Sequence, residues 1–108
     1  MKIYEIKSLN CKSKENRKIL LKEVMKVLKL EEKPSNDDLK KTCRKIRIRY
    51  GFQYSMFEVE DKIQLNINLE RDSYSVVECN TKYEAMCKYI LICKAWLKYL
   101  KLKPNEEE

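Results

Sequence analysis

The stretch IQLNINLE, residues 63–70, alternates without a fault between aliphatic and polar side chains. Successive side chains of a β-strand point to opposite faces of the sheet, so this pattern predicts a strand with one buried side and one wet or partner-facing side. Residues 54–60 and 74–79 also favour strands, and the segments between, Asp61-Lys62 and Arg71-Asp72-Ser73, are typical of turns. The sequence therefore predicts a three-stranded antiparallel meander.

Two helices are predicted before the meander. Apolar residues recur at three- and four-residue spacing from Ser13, a candidate N-cap, to residues 31–34. The second helix begins at Ser35 or Asn36, where a side-chain oxygen accepts hydrogen bonds from the free amides of the first turn. It ends at Gly51, the only glycine in the sequence, because glycine adopts the left-handed conformation beyond a helix without a steric penalty.

A third, strongly apolar helix is predicted after the meander. Thr81 and Glu84 have the spacing of a capping box, and 14 of the 18 residues from Tyr83 to Leu100 are apolar. The charged residues within this stretch predict a narrow polar strip: Glu84, Lys88, Lys94 and Lys98. Because one face of a sheet cannot surround so apolar a helix, the N-terminal helices or a partner chain must cover the rest of it.

These elements give the order α-α-β-β-β-α and an α+β class, with a three-stranded antiparallel sheet that carries helices on one or both faces. Residues 1–12 fit a short strand or a helical lead-in equally well, so an extra N-terminal strand stays open. With 108 residues, 44% of them hydrophobic, the sequence supports one packed domain without disulfides or metal. We predict a single domain over residues 1–103 and a frayed acidic tail over residues 104–108.

The residue types exclude several kinds of chemistry. Without histidine, the chain lacks the commonest general base and the commonest metal ligand. A single glycine excludes a Walker loop and a GxGxxG motif. The five cysteines are odd in number, form no CxxC motif and favour a role as small core residues in a reducing compartment. We therefore predict no catalytic residue, no metal site and no cofactor, and hence no enzyme.

The sequence predicts neither export nor membrane insertion. Residues 1–7 are charged at nearly every second position, unlike a signal peptide. The longest apolar-rich stretch, residues 83–100, carries four charged side chains, whereas a bilayer span is almost uninterrupted. We expect a cytoplasmic protein, within a host cell if the protein is viral, with no membrane partner.

Charge is distributed unevenly along the chain. Residues 1–49 carry a net charge of +9 and residues 50–108 a net charge of −2, and three of the five arginines lie between residues 44 and 49. Arginine presents a planar fork of donors that suits phosphate or carboxylate. The candidate site for a partner or for nucleic acid is this basic run on the second helix: Lys40, Lys41, Arg44, Lys45, Arg47 and Arg49. On a helix, Lys40, Arg44 and Arg47 share one side.

Each candidate has a simpler interpretation. A basic helix face in a lysine-rich protein is often only solvated. The polar side of residues 63–70 supplies the secondary candidates Gln64, Asn66 and Asn68, although such a face is often merely wet. Aromatic residues near the basic run resemble a surface for stacking unpaired bases, but we interpret them as core residues: Tyr50, Phe52, Tyr54 and Phe57.

Three segments resemble the phage ABA-sandwich domain of small phage proteins. They are RKILLKEVM at residues 17–25, SNDDL at residues 35–39 and TKYEAMCKYIL at residues 81–91, with a hairpin between the last two. The resemblance covers roughly residues 15–100 and rests on capping and core positions. It implies a viral or prophage origin, a sheet between helices and no known active site.

From Pro34 onward, the order α-β-β-β-α also resembles a double-stranded-RNA-binding domain. That family grips phosphates with a lysine cluster that opens its last helix. Here the corresponding start of the last helix has only Lys82 and Lys88, with Tyr83 and Glu84 between them. The resemblance therefore implies a topology and does not transfer the family's binding mode.

These observations lead to one expected function and two alternatives. We expect a small phage or mobile-element protein, without enzymatic activity, that binds and inhibits or modulates a host nucleic-acid-handling defence complex through its basic helix. The partner is a host protein or nucleoprotein complex with an anionic surface. The first alternative is direct binding of duplex RNA or DNA, and the second is a homodimer formed through the apolar last helix.

Overall fold

The computed structural model describes residues 1–70 and 73–102, and in them it contains four helices and a three-stranded antiparallel sheet. The elements follow in the order α1 (Ile3–Ser8), α2 (Lys14–Leu28), α3 (Asn36–Tyr50), β1 (Gln53–Val59), β2 (Lys62–Glu70), β3 (Ser73–Cys79) and α4 (Lys82–Leu102). The predicted α+β class is confirmed. The first twelve residues contain helix α1 instead of a strand. The predicted turn at residues 71–72 and the predicted tail at residues 104–108 lie outside the described residues.

The central strand of the sheet is β2, as the alternating stretch predicted. Its residue Leu65 pairs with Met56 of β1 and with Val77 of β3. The first hairpin closes where Val59 pairs with Lys62, so its turn is Glu60-Asp61, one residue earlier than predicted. Glu60 has a φ of 58°, which is the left-handed conformation that a tight hairpin turn requires.

All helices that contact the sheet lie on one of its faces. The aliphatic residues of β2 point to this face and are buried: Ile63, Leu65, Ile67 and Leu69. Helix α4 packs against them. The opposite face is open and exposes apolar side chains, with Phe57 53% and Tyr74 64% accessible. Of the two arrangements that the sequence left open, the described residues therefore adopt helices on a single face.

Helix α4 is the centre of the fold. Every residue from 84 to 93 is buried, which is nearly three turns without an exposed side. The sheet covers one side of α4, and α1, α2 and α3 pack around the others. The expected cover from the N-terminal helices is confirmed. The middle layer is thus a helix, whereas the resemblance to the phage ABA-sandwich domain implied a sheet there.

The predicted polar strip on α4 is wrong at its first two positions. Glu84 is 6% accessible and Lys88 is 1% accessible. The Lys88 ammonium donates to a Glu84 carboxylate oxygen at 3.2 Å and to the Leu9 carbonyl oxygen at 2.7 Å. A hydrogen-bonded ion pair makes the burial of two charges tolerable, and no single-helix periodicity reveals the partner from α1.

The helix termini follow their predicted chemistry. The Ser13 hydroxyl accepts a hydrogen bond from the amide of Asn16, and the Ser35 hydroxyl accepts one from the amide of Asp38, both at 3.1 Å. The Asp38 carboxylate accepts from the Ser35 amide in return, and hydrogen bonding of this carboxylate with the amide and then the side chain of Ser35 lowers the pKa of Asp38. The caps fix where α2 and α3 begin.

Gly51 provides the first test of the fold. Its φ is +73° and its amide donates to the Arg47 carbonyl oxygen at 2.8 Å, so it is the left-handed cap predicted for α3. An added Cβ atom would meet nothing within 4 Å, so any cost of a side chain comes from the backbone conformation alone.

We expect Gly51→Ala to lower the free energy of unfolding by about 1 kcal/mol in urea denaturation. Lys29→Gly is the control. Lys29 ends α2 with a φ of 56°, a conformation that glycine adopts without strain, so this variant should be at least as stable as the parent. Equal stability of Gly51→Ala and the parent would contradict this account.

None of the four helices within residues 1–70 and 73–102 has the length and apolar character needed to cross a membrane.

Candidate binding surface on helix α3

Helix α3 is anchored by one narrow apolar stripe. Leu39 and Cys43 are fully buried and Ile46 is 4% accessible. The stripe packs against α4, where the Cys43 thiol lies 3.8 Å from the Met86 carbonyl oxygen. The rest of the helix surface is consequently held in a fixed orientation toward solvent.

Most of the predicted site residues lie on that solvent-facing surface. The exposed members are Lys40, Lys41, Arg44, Lys45 and Arg49, and Arg47 is half-buried. We call these six residues the basic face of α3. Within the part of the chain that the structure describes, none of them forms an ion pair. Among the described residues, the positive charge of this face is therefore not held in direct ion pairs.

Two arginines of the basic face rest on aromatic rings. The Arg47 guanidinium carbon lies 5.9 Å from the ring centroid of Tyr54, and that of Arg49 lies 5.4 Å from the ring centroid of Tyr50. Such cation–π contacts restrict the side chain while leaving N–H donors for a ligand. The C-terminal end of the basic face is thus more ordered than free lysines would be.

The prediction that four nearby aromatic residues are core residues holds only in part. Phe52 is buried and Tyr54 is half-buried. Tyr50 and Phe57 are exposed, so the prediction is wrong for these two. Tyr50 stacks on Phe52 at a centroid distance of 5.6 Å, and Phe57 points to the open face of the sheet.

Ile48 is the residue of this surface that the sequence analysis missed. Its side chain is 69% accessible, the highest value among the large apolar side chains of the described residues. A helix turns by about 100° per residue, which places Ile48 almost diametrically opposite the buried stripe. Its neighbours one and two turns earlier are Lys41, Arg44 and Lys45. The signal in the sequence was that Ile48 does not fit the spacing of Leu39, Cys43 and Ile46.

The secondary candidates lie together on the open face of the sheet but differ in accessibility. Asn68 is exposed, Gln64 is half-buried and Asn66 is only 9% accessible. The Gln64 amide donates to the Asn66 side-chain oxygen at 3.1 Å. Asn66 therefore offers little surface to a partner, and its side-chain oxygen is engaged in a hydrogen bond within β2.

The cysteines are core residues, as predicted. All five thiols are buried and free. Burial raises the pKa of the Cys43, Cys79, Cys87 and Cys93 thiols to about 12, so these groups stay protonated at neutral pH. A protonated thiol is a poor nucleophile and a poor metal ligand.

Across residues 1–70 and 73–102, no three cysteine, aspartate or glutamate side chains come together in a way that could hold a metal ion. Comparisons of the chain with protein-family models, with curated proteins and with solved structures found no match.

Proposed function

We propose that this chain acts by binding and not by catalysis, and that its contact surface is the basic face of α3. The partner in this proposal is an anionic surface of a host protein or nucleoprotein complex that handles nucleic acid. The chain would inhibit or modulate that complex as a small phage or mobile-element protein does. The observation that carries the proposal is an apolar side chain, Ile48, exposed in the middle of unpaired cations.

The rigidity of α3 supports a role in binding. The helix is capped at both ends, and its buried stripe fixes it to α4. A surface that is already ordered loses less conformational entropy when it binds. Uncompensated like charges on one helix face reduce stability slightly, so a face of this kind is better explained by an anionic partner than by folding.

Ile48 favours a protein partner over bare nucleic acid. Protein interfaces combine a desolvated apolar centre with a polar rim, and Ile48 surrounded by Lys41, Arg44 and Lys45 has that composition. A phosphate backbone, by contrast, gains nothing from contact with an exposed isoleucine.

Direct binding of duplex RNA or DNA is the second candidate, and the arginine–aromatic contacts favour it. Arg47 and Arg49 are oriented by Tyr54 and Tyr50, and ordered guanidinium groups suit phosphate. This mode of binding would weaken steeply as salt rises, because each phosphate contact releases a counterion.

A homodimer through the last helix has less support than the sequence implied. The N-terminal helices cover the buried part of α4 from residue 84 to residue 93. Apolar exposure remains at Tyr99, which is 51% accessible, and at Leu100, which is 37% accessible. Sedimentation of the intact chain as a monomer would dispose of this candidate.

Removal of three charges around Ile48 tests the proposal. We expect the triple variant Lys41→Gln, Arg44→Gln, Lys45→Gln to lose about 100-fold in affinity for the partner, since interface residues of this kind each contribute about 1 kcal/mol or more. The control is Lys22→Gln, Lys26→Gln, Lys98→Gln, which removes the same charge from exposed positions on α2 and α4. Neither variant should melt at a lower temperature than the parent. The measurement is titration against the complex that the parent retains stoichiometrically from a bacterial lysate.

Ile48→Ser separates the two candidate functions. For a protein partner we expect it to weaken binding by about tenfold, whereas duplex binding in a mobility-shift assay would be unchanged. Equal losses in the charge variant and its control would contradict the proposed surface. So would a lysate from which the parent retains no stoichiometric partner.

A further inference from the structure

A second basic surface lies away from α3, in a cleft between the start of α2 and the start of α4. The cleft has a volume of about 590 Å³. Its rim carries five cationic side chains from the α1–α2 loop, from α2 and from the α2–α3 loop: Lys12, Lys14, Arg17, Lys18 and Lys33. Ligand sites for small molecules commonly occupy about 300–1,000 Å³, so the cleft is large enough for one.

The cationic side chains of the cleft lining outnumber its carboxylates by five to one. None of the five takes part in an ion pair within residues 1–70 and 73–102. The one carboxylate in the cleft lining belongs to Glu84, and it already accepts from the Lys88 ammonium and from the amide and side chain of Asn80. The rim therefore has an excess of positive charge that a ligand with several negative charges would complement.

The rim is also ordered before any ligand binds. The Nη1 atom of Arg17 donates to the carbonyl oxygens of Lys12 at 2.8 Å and Cys11 at 3.2 Å, which leaves Nη2 and Nε as donors. Asn16 holds the same loop, because its side-chain amide donates to the Asn10 carbonyl oxygen at 2.7 Å. A guanidinium group held in this way presents its remaining N–H donors in a geometry that suits phosphate.

The floor of the cleft is apolar and includes an aromatic ring. Leu20 and Cys87 are buried, and Leu21 and Tyr83 are half-buried. The Tyr83 hydroxyl donates to the Pro34 carbonyl oxygen at 2.7 Å, which fixes the ring, and the Lys33 ammonium lies 5.2 Å from the ring centroid. A ligand that used both floor and rim would join an apolar, flat body to a multiply charged anionic group.

We infer that this cleft binds a nucleotide, with the base on the apolar floor and the phosphates on the cationic rim. Two sources share this chemistry, a free mononucleotide and the phosphorylated end of a nucleic acid strand. The inference is independent of the proposed function of α3, because none of the residues of the cleft belongs to the basic face.

Calorimetric titration with ADP in metal-free buffer tests the inference. We expect ADP to bind at least about tenfold more tightly than adenosine or inorganic pyrophosphate. Adenosine lacks the phosphates that the cationic rim would bind, and pyrophosphate lacks the base that the apolar floor would bind. The double variant Lys18→Gln, Lys33→Gln should lose at least about tenfold in affinity for ADP. The matched control Lys22→Gln, Lys26→Gln removes the same charge outside the cleft and should bind ADP as the parent does.

Short single strands with and without a terminal phosphate distinguish the two sources. If the phosphorylated strand competes with ADP and the unphosphorylated strand does not, the ligand is the phosphorylated end of a strand. If neither strand competes with ADP, the ligand is a free nucleotide. Equal binding of ADP and pyrophosphate, or equal losses in the double variant and its control, would overturn the inference. The α3 charge variant should keep its affinity for ADP, so failure here and failure of the proposed function are separate outcomes.

Discussion

Replacing Lys88 with alanine is expected to lower the free energy of unfolding by about 3–5 kcal/mol, the largest single-residue effect that this structure predicts. Lys88 is 1% accessible and is the cation that compensates Glu84, whose own side chain is 6–7% accessible. Alanine would leave a buried carboxylate without its compensating cation, although the Asn80 donors remain, and would leave the Leu9 carbonyl oxygen without the Lys88 donor. Both losses cost free energy because the groups remain desolvated.

Urea denaturation measures this effect, with Lys94→Ala as the control. Lys94 is half-buried on the same helix and forms no ion pair among the described residues, so its replacement should cost less than about 1 kcal/mol. The double variant Glu84→Gln, Lys88→Met removes both charges with little change in volume and should recover most of the stability that Lys88→Ala loses. A loss for Lys88→Ala no larger than for Lys94→Ala would show that the pair is not buried in solution.

Replacing Leu65 with alanine is the second large effect, with an expected loss of about 2–5 kcal/mol. Leu65 is fully buried in the central strand, between its partners Met56 and Val77 and beneath α4. Truncation removes apolar contacts and leaves a cavity that the surrounding sheet and helix fill only partly.

Val76→Ala on the other face of the same sheet is the matched comparison. Val76 is 47% accessible and pairs with Asn66, so its truncation should cost less than about 1 kcal/mol in the same denaturation experiment. Comparable losses at Leu65 and Val76 would mean that both faces of the sheet are covered, contrary to the fold described here.

The elements that local chemistry specifies were predictable from the sequence. The strict alternation of residues 63–70 predicted the central strand, and Ser13, Ser35 and Gly51 predicted helix ends that the structure confirms. These signals are local, since a cap or an alternation needs only neighbouring residues. The same holds for α4, whose composition required cover on nearly every side.

Features that depend on contacts between distant segments were not predictable. The sequence predicts Glu84 and Lys88 as surface charges, because the contacts of Glu84 with Asn80 and of Lys88 with Leu9 are known only from the structure. Helix α1 was undecided because its few apolar residues fit two periods, and packing on α4 selects the helix. The cleft brings together residues as far apart in the chain as Lys12 and Tyr83.

The candidate site also combines features that the sequence predicts with features that depend on contacts between distant segments. The basic run was evident from charge alone, and the exposure of Lys40, Lys41 and Arg44 follows because Leu39, Cys43 and Ile46 place an apolar stripe on the other side of the helix. The contact of Arg47 with Tyr54 required the orientation of α3 relative to β1, whereas the position of Ile48 next to the cations follows from helical spacing.

Lysine footprinting of the unaltered chain with its captured partner shows directly whether the basic face of α3 is the contact surface. Acetylation with an amine-reactive ester, followed by mass spectrometry, reports which ammonium groups a partner covers. We expect Lys40, Lys41 and Lys45 to become protected, while Lys22, Lys26 and Lys98, which are also exposed in the free chain, react as before. Unchanged acetylation of the three α3 lysines in a stoichiometric complex would contradict the claim that the basic face of α3 is the contact surface.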